Sequence, residues 1–171
     1  MATHYSNLIS TDPSTFAAPG RQPAGAVHVR TYKRRAAWTE PDNANGDKTR
    51  IMKIHSSERV WGLEFSCAAA GAGTVDLGVN YEPTDPDGIG TTIDDDEFAT
   101  AIAITSANAR TQVFGEAGAA NDLRIGQRLW EIVGLTEDPN VFLELVATFD
   151  TGTSQAAAMV VVAELSNDSA G

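Results

Sequence analysis

The chain has 171 residues, of which 42% are hydrophobic and 20% charged, and carries a net charge of -11. That length suits one domain able to bury its own core, and the single cysteine, Cys67, excludes an intrachain disulfide or a thiolate metal cluster. The longest apolar run, residues 156–163, is too short to cross a bilayer, so no membrane partner is expected. The start, MATHYSNLIST, has neither the basic nor the apolar region of a signal peptide, and synthesis in a reducing cytoplasm is expected. Charge is distributed unevenly: residues 1–59 hold nine of the 12 Lys and Arg and five of the 23 acids, about +4 against about -15 for the rest. Two readings fit that split: a basic handle for an acidic partner surface, or a basic segment neutralised inside the fold. No nucleic-acid partner is expected, because the acidic bulk repels phosphate over a Debye length of about 8–10 Å.

Residues 1–25, with their Asp-Pro, Pro-Gly and Gln-Pro pairs and few apolar anchors, read as an extended arm. Alternation then begins: Val27, Val29 and Thr31 oppose His28, Arg30 and Tyr32 in a strand with one polar face, which residues 35–39 continue or pair with. An Asn-Gly signal within residues 41–47 marks a turn, and residues 49–54 form a short strand. Residues 60–69 and 74–81 read as a hairpin about the glycine-bearing turn at 70–73, with Trp61 on the face of Leu63, Phe65 and Cys67. A Pro/Asp/Gly loop fills residues 82–90. Residues 92–104 suit two states equally, a helix opened by Asp94, Asp95, Asp96 and Glu97, or a strand. A short strand at 111–114 and a loop at 115–121 lead to a helix or helical turn at 123–133, where Gly134 offers a left-handed cap. The end reads as a second hairpin, 141–149 with 156–165. Together these elements predict a mainly β protein: an antiparallel, jelly-roll-like β-sandwich spanning residues 26–168, with one short helix, an extended N-terminal arm at 1–25 and a flexible tail at 169–171.

Chemistry is sparse. His55 lies beside Ser56 and Ser57, but no G-x-S-x-G elbow accompanies them. Gly71, Gly73 and Gly78 miss the spacing of a phosphate loop. The carboxylates at 85, 87 and 94–97 could hold Ca²⁺, yet Ile89 breaks the EF-hand pattern, and an acidic solvated segment at a helix start explains them as well. Cys67 reads as a core residue, and Trp38, Trp61 and Trp130 as core or interface anchors. No cofactor and no enzymatic activity are expected. The candidate interface residues are Arg21, Arg30, Lys33, Arg34, Arg35 and Trp38.

One resemblance covers nearly the whole chain, residues 20–168. Its parts are GAVHVR at 25–30, Gly46 and Asp47 followed by TRIMKI at 49–54, residues 60–66, TVDLG at 74–78, Leu129 and Trp130, Gly134 and Leu135, Asp138 and Pro139, and a closing strand pair that runs to Asp168. In layout and spacing the chain resembles the head decoration (cement) proteins of tailed bacteriophages. The resemblance implies an accessory protein, made in the host cytoplasm, that binds the outer surface of the assembled head. Its partners would be the major capsid protein and itself, commonly as a homotrimer, with the basic residues 1–35 as the contact. Two other readings stay open: a neck, tail-tube or fibre-base protein, and a carbohydrate- or Ca²⁺-binding β-sandwich module.

Overall fold

The computed structural model describes residues 30–41, 44–85, 88–114 and 124–167. They form eight strands and one short helix. In chain order these are β1 (Arg30–Glu40), β2 (Lys48–His55), β3 (Arg59–Cys67), β4 (Thr74–Tyr81), β5 (Thr92–Ala103), β6 (Asn108–Gln112), α1 (Leu129–Ile132), β7 (Phe142–Thr151) and β8 (Ala157–Asn167). The strands build two four-stranded antiparallel sheets, ordered β1-β8-β3-β6 and β2-β7-β4-β5. This is a jelly roll, as the alternating pattern predicts. The expected arm at 1–25, the first residues of the expected strand at 27–32, the loop at 115–121 and the tail at 169–171 lie outside the described residues.

Neither predicted hairpin forms, although all four of its strands do. β3 pairs with β8 and β6, while β4 pairs with β7 and β5, so residues 68–73 carry the chain from one sheet to the other. The β7–β8 connection crosses in the same way, and the two crossings satisfy each other. The Ser154 N–H and hydroxyl both donate to the Ala70 carbonyl, at 3.2 and 3.3 Å, and the Gln155 amide donates to the Ala69 carbonyl at 2.9 Å. Such mutual bonding lets Ala70 sit fully buried without orphaned backbone groups. Alternation reports which face a residue takes; it carries nothing about which strand lies alongside.

Between the sheets lies one core. Its largest members include Phe65, Phe98, Phe114, Phe149, Leu63, Leu77, Leu143 and Leu145, all essentially inaccessible. Burial of each such side chain stabilises the fold by about 1.5–3 kcal/mol. Phe98 and Phe114 meet edge to face at 5.2 Å, tying β5 to the chain just beyond β6. Cys67 is buried, as expected, and burial pushes its thiol above the ordinary range. Trp61 is the exception on β3. A register shift between Val60 and Gly62 reverses the alternation, so Val60 and Leu63 both enter the core while Trp61 turns outward at 38% exposure. Its indole N–H donates to the Ser166 hydroxyl at 2.8 Å.

The ambiguous segment at 92–104 is a strand, not a helix. β5 pairs with β4 from Asn80 opposite Thr92 to Thr74 opposite Ala103, with three register shifts on the way. The largest lies between the pairs Leu77–Ala99 and Val79–Asp94, where β5 carries three residues more than β4. That excess arches the acidic stretch over the outer face of the sheet. The helix expected at 123–133 contracts to the single turn of α1. Gly126 takes φ +81° and Arg128 is extended, which stops any earlier start, and Gly134 at φ +72° ends the turn as predicted.

Gly78 makes the arch possible. A Cβ there would fall on the Asp94 carbonyl oxygen and the Asp95 carbonyl group, backbone atoms that cannot swing aside. Gly78→Ala is therefore expected to cost about 2–4 kcal/mol in chemical denaturation, a core-like penalty at a position without any side chain.

Candidate functional site

The two outer faces of the sandwich differ. On the β2-β7-β4-β5 sheet the outward residues Glu144, Val146, Asp76 and Asn80 are all buried. The β4–β5 connection and the β5 arch cover them: the Asn80 amide donates to the Gly90 carbonyl at 3.2 Å, and Ala101 N–H donates to the Asp76 carboxylate at 2.5 Å. Arg50 grips buried Glu144 through two nitrogens at 2.8 and 2.5 Å and also reaches the Gly88 carbonyl. Lys48 bonds Asp95 at 2.6 Å, and Lys53 pairs with Glu82. Lys48, Arg50 and Lys53 of the basic first third are thus neutralised within the fold, by acids that the chain supplies later. Breaking a buried pair such as Arg50–Glu144 costs about 3–5 kcal/mol, since it strands a carboxylate out of water.

The β1-β8-β3-β6 face is open. β1 alternates strictly: Thr31, Lys33, Arg35, Ala37 and Thr39 are exposed, while Tyr32, Arg34, Ala36, Trp38 and Glu40 turn inward. Across the register Lys33 lies opposite Glu164, Arg35 opposite Val162, and Ala37 opposite Val160. Lys33 and Glu164 form a surface ion pair at 3.5 Å, worth little by itself. With Trp61, Glu64 and Gln112 they frame a shallow depression of about 50 Å³. β8 runs through the middle of this sheet and shows Val160 and Val162 to the outside, half-buried among their neighbours.

The expected interface residues therefore divide. Lys33 and Arg35 stand on the open face. Arg34 turns inward, donating to the Lys53 carbonyl at 2.5 Å and to Glu58 at 3.1 Å, and so bridges the edges of the two sheets. Trp38 also turns inward, packs against the core and donates to Glu40 at 2.6 Å. Tyr32 donates to the same Glu58; burial and that carboxylate push its phenol up to about 12. Arg30 opens β1, and Arg21 lies outside the described residues. Val160, Val162 and Gln112 did not stand out in the sequence, and neither Trp61 nor Glu64 was among the interface residues it named. The signal for the valines was present in the unbroken run AAMVVVA, which puts apolar side chains on both faces of one strand.

The remaining candidate sites do not assemble. His55 bonds the Ser57 hydroxyl through Nδ1 at 2.8 Å, but Asp138 takes its hydrogen bond from Ser56, at 2.5 Å, so the three types form no relay. The Ser56 hydroxyl and the Asn140 N–H outweigh the effect of burial and hold Asp138 below the ordinary carboxylate range. Among the described residues no three carboxylates, histidines or thiols gather as metal ligands, and the acids at 94–97 spread along the arch. Asp96 accepts from Thr100, Asp95 holds Lys48, and Glu97 holds Arg124 at 2.6 Å.

No protein-family profile matches the sequence, and no curated protein matches it. Solved structures do. A chain in the cyanophage Pam1 capsid asymmetric unit superposes with a TM-score of 0.52 at 12% identity, over 92% of this chain and 97% of that one. The two share a fold. The infectious bursal disease virus VP2 subviral particle also matches, at 13% identity and a TM-score of 0.32, with this chain spanning 45% of that one. The second likeness adds nothing at that score. These structural neighbours are chains of viral particles.

Asp76 gives the covered face a pH dependence. Burial, with help from nearby Asp150 and Asp96, pushes it up to about 6 from 3.8, against the opposing Ala101 hydrogen bond. The folded chain thus holds this proton more tightly than the unfolded one, so the contribution is complete below pH 3.8 and lost as pH rises through about 6. Asp76→Asn keeps an acceptor for Ala101 and removes the buried charge. In denaturation series from pH 4 to 8, it should raise stability at pH 7 by about 1–2 kcal/mol and flatten the acid-side slope.

Proposed function

We propose that this protein is a structural component of a virion, and specifically a head decoration protein of a tailed bacteriophage. In this reading it binds the outer surface of the assembled capsid as a homotrimer and bridges neighbouring copies of the major capsid protein. The observation that carries the reading is the co-extensive likeness to a chain in a phage capsid asymmetric unit, which runs over nearly the whole of both chains. The site geometry supports it: one sheet face is sealed by the chain's own arch, and the other is left open. The sequence layout described above points the same way.

Contact with the shell falls to the basic segment that leads into β1 and to its outward cations. Lys33 and Arg35 offer charge on the open face, Arg21 and Arg30 precede them, and Arg34 and Trp38 brace the strand from inside. Each contact is modest. Many copies on one lattice multiply the effect, because a trimer held at one point meets its second site at high effective concentration. The acidic remainder keeps the particle surface soluble.

Light scattering of the purified chain and co-sedimentation with expanded phage shells test this directly. The expected result is a trimer that pellets with the shells, with binding weakened about tenfold or more by the double change Lys33→Glu and Arg35→Glu. Deleting residues 1–24 should leave the thermal transition in place and weaken shell binding similarly. A monomer that ignores shells, or a truncated chain that binds as tightly as the full one, would contradict the proposal or its arm respectively.

A further inference from the structure

Three of the four strand edges of the sandwich are interrupted. β2 shifts register between Arg50 and Met52, β5 shifts three times, and β6 has only five residues and is itself shifted against β3. β1 differs: its eleven residues each face one residue of β8 without a break. Bulges and short strands are two of the devices that stop a sheet edge from pairing with another chain, and β1 has neither. Its protection is charge, Lys33 and Arg35 outward and Arg34 inward, which repels a basic strand and leaves the edge open to an acidic one.

The direction of its backbone groups follows from a single hydrogen bond. Ala68 N–H donates to the Ala158 carbonyl at 2.8 Å, so the even-numbered residues of β8 turn their backbone toward β3. The odd-numbered ones turn toward β1, where they meet Tyr32, Arg34, Ala36, Trp38 and Glu40. Thr31, Lys33, Arg35, Ala37 and Thr39 therefore aim their N–H and C=O groups away from the sheet. None of these groups makes another backbone hydrogen bond among the described residues. Their side chains stand exposed on the open face, where Lys33 and Arg35 sit two residues apart. No acid lies among them, and Arg35 has no ion pair among the described residues.

We propose that β1 is a docking edge that adds one extended polypeptide segment, from another protein, bearing acidic side chains at alternate positions. The outward N–H and C=O groups supply the ladder, and Lys33 and Arg35 select carboxylates spaced two residues apart on the added strand. A second copy of β1 is disfavoured as occupant, since it gathers four cations on one face. The inference deepens the proposed docking role by giving its chemistry, and it uses that role only to name where the acidic segment comes from.

Residue-resolved amide exchange on the full chain is the test, with the peptide Ac-Thr-Val-Glu-Val-Glu-Val-Thr-amide as probe and its lysine counterpart as control. Amides 31, 33, 35, 37 and 39 should exchange freely in the free protein, and saturating acidic probe should slow them about tenfold or more, while the lysine peptide leaves them unchanged. Ala37→Pro removes an outward donor from an edge strand. It should preserve the thermal transition and weaken probe binding about tenfold, whereas Ala36→Pro breaks a bond to β8 and lowers stability. Protection of the five amides in the free chain would mean that its own residues or a second copy already fill the edge, and would overturn the proposal. Equal binding of the lysine peptide, or unchanged binding to the folded Ala37→Pro chain, would overturn it too. Shell binding that leaves these amides unprotected sinks strand addition alone; protection by the probe without any shell binding sinks the decoration reading alone.

Discussion

The last two strands hold the middle of both sheets, and everything else depends on that. β8 lies between β1 and β3, and β7 between β2 and β4. Without β7 and β8, β1 and β2 have no partner strand among the described residues, and β3 and β4 keep only the edge strands β6 and β5. Nearly all pairings thus join residues far apart in the chain, such as Arg30 with Asn167 and Lys48 with Thr148. Loop closure on that scale must precede the burial that rewards it, so folding is expected to be slow for a domain of this size. The two crossings, at residues 68–73 and 152–156, close this arrangement, with Ser154 and Gln155 donating to the Ala70 and Ala69 carbonyls.

From this placement follows the asymmetry of the surface. With β4 fixed beside β7, the glycine at 78 lets the acidic arch of β5 settle over one outer face, and Lys48, Arg50 and Lys53 of β2 meet the acids around it. A large part of the chain's opposite charges is consumed there. What remains outward on the other sheet is a small set: Lys33 paired weakly with Glu164, Arg35 beside Val162, and Trp61 over Gly126. The open face is therefore defined as much by what the covered face absorbs as by its own residues.

The strands, their approximate ends and most of the core were legible from alternation, because half-buried strands show their period directly: Leu63, Phe65 and Cys67 inward, Glu64 and Ser66 outward. The jelly-roll class was legible too. Strand partners were not, as the two failed hairpins show, because a short glycine-rich connection serves equally for a turn within one sheet and a crossing between two. Trp61 was placed on the wrong face, since a single bulge reverses the period and leaves no mark in composition. The segment 92–104 suited two states equally, its acids at 94–97 a helix start and its alternation at 101–104 a strand; pairing with β4 and packing of the arch on Gly78 make it a strand. Of the basic residues, Lys33, Arg34 and Arg35 all read as interface candidates, and the alternation that put Tyr32 on the polar face runs the other way in β1. Only the structure separates Arg34 from its neighbours and shows that β2 spends its own cations internally.

The central position of β7 and β8 has a consequence for how copies are made. A ribosome releases the first six strands well before it releases the two that complete the sheets, so the nascent chain spends that interval with four strands lacking their central partners. A product cut short before residue 142 keeps only the β3–β6 and β4–β5 pairs and lacks the strand at the centre of each sheet. Only chains translated through both central strands can hold β1 in its sheet, so the open face exists only on a chain carried through to Asn167.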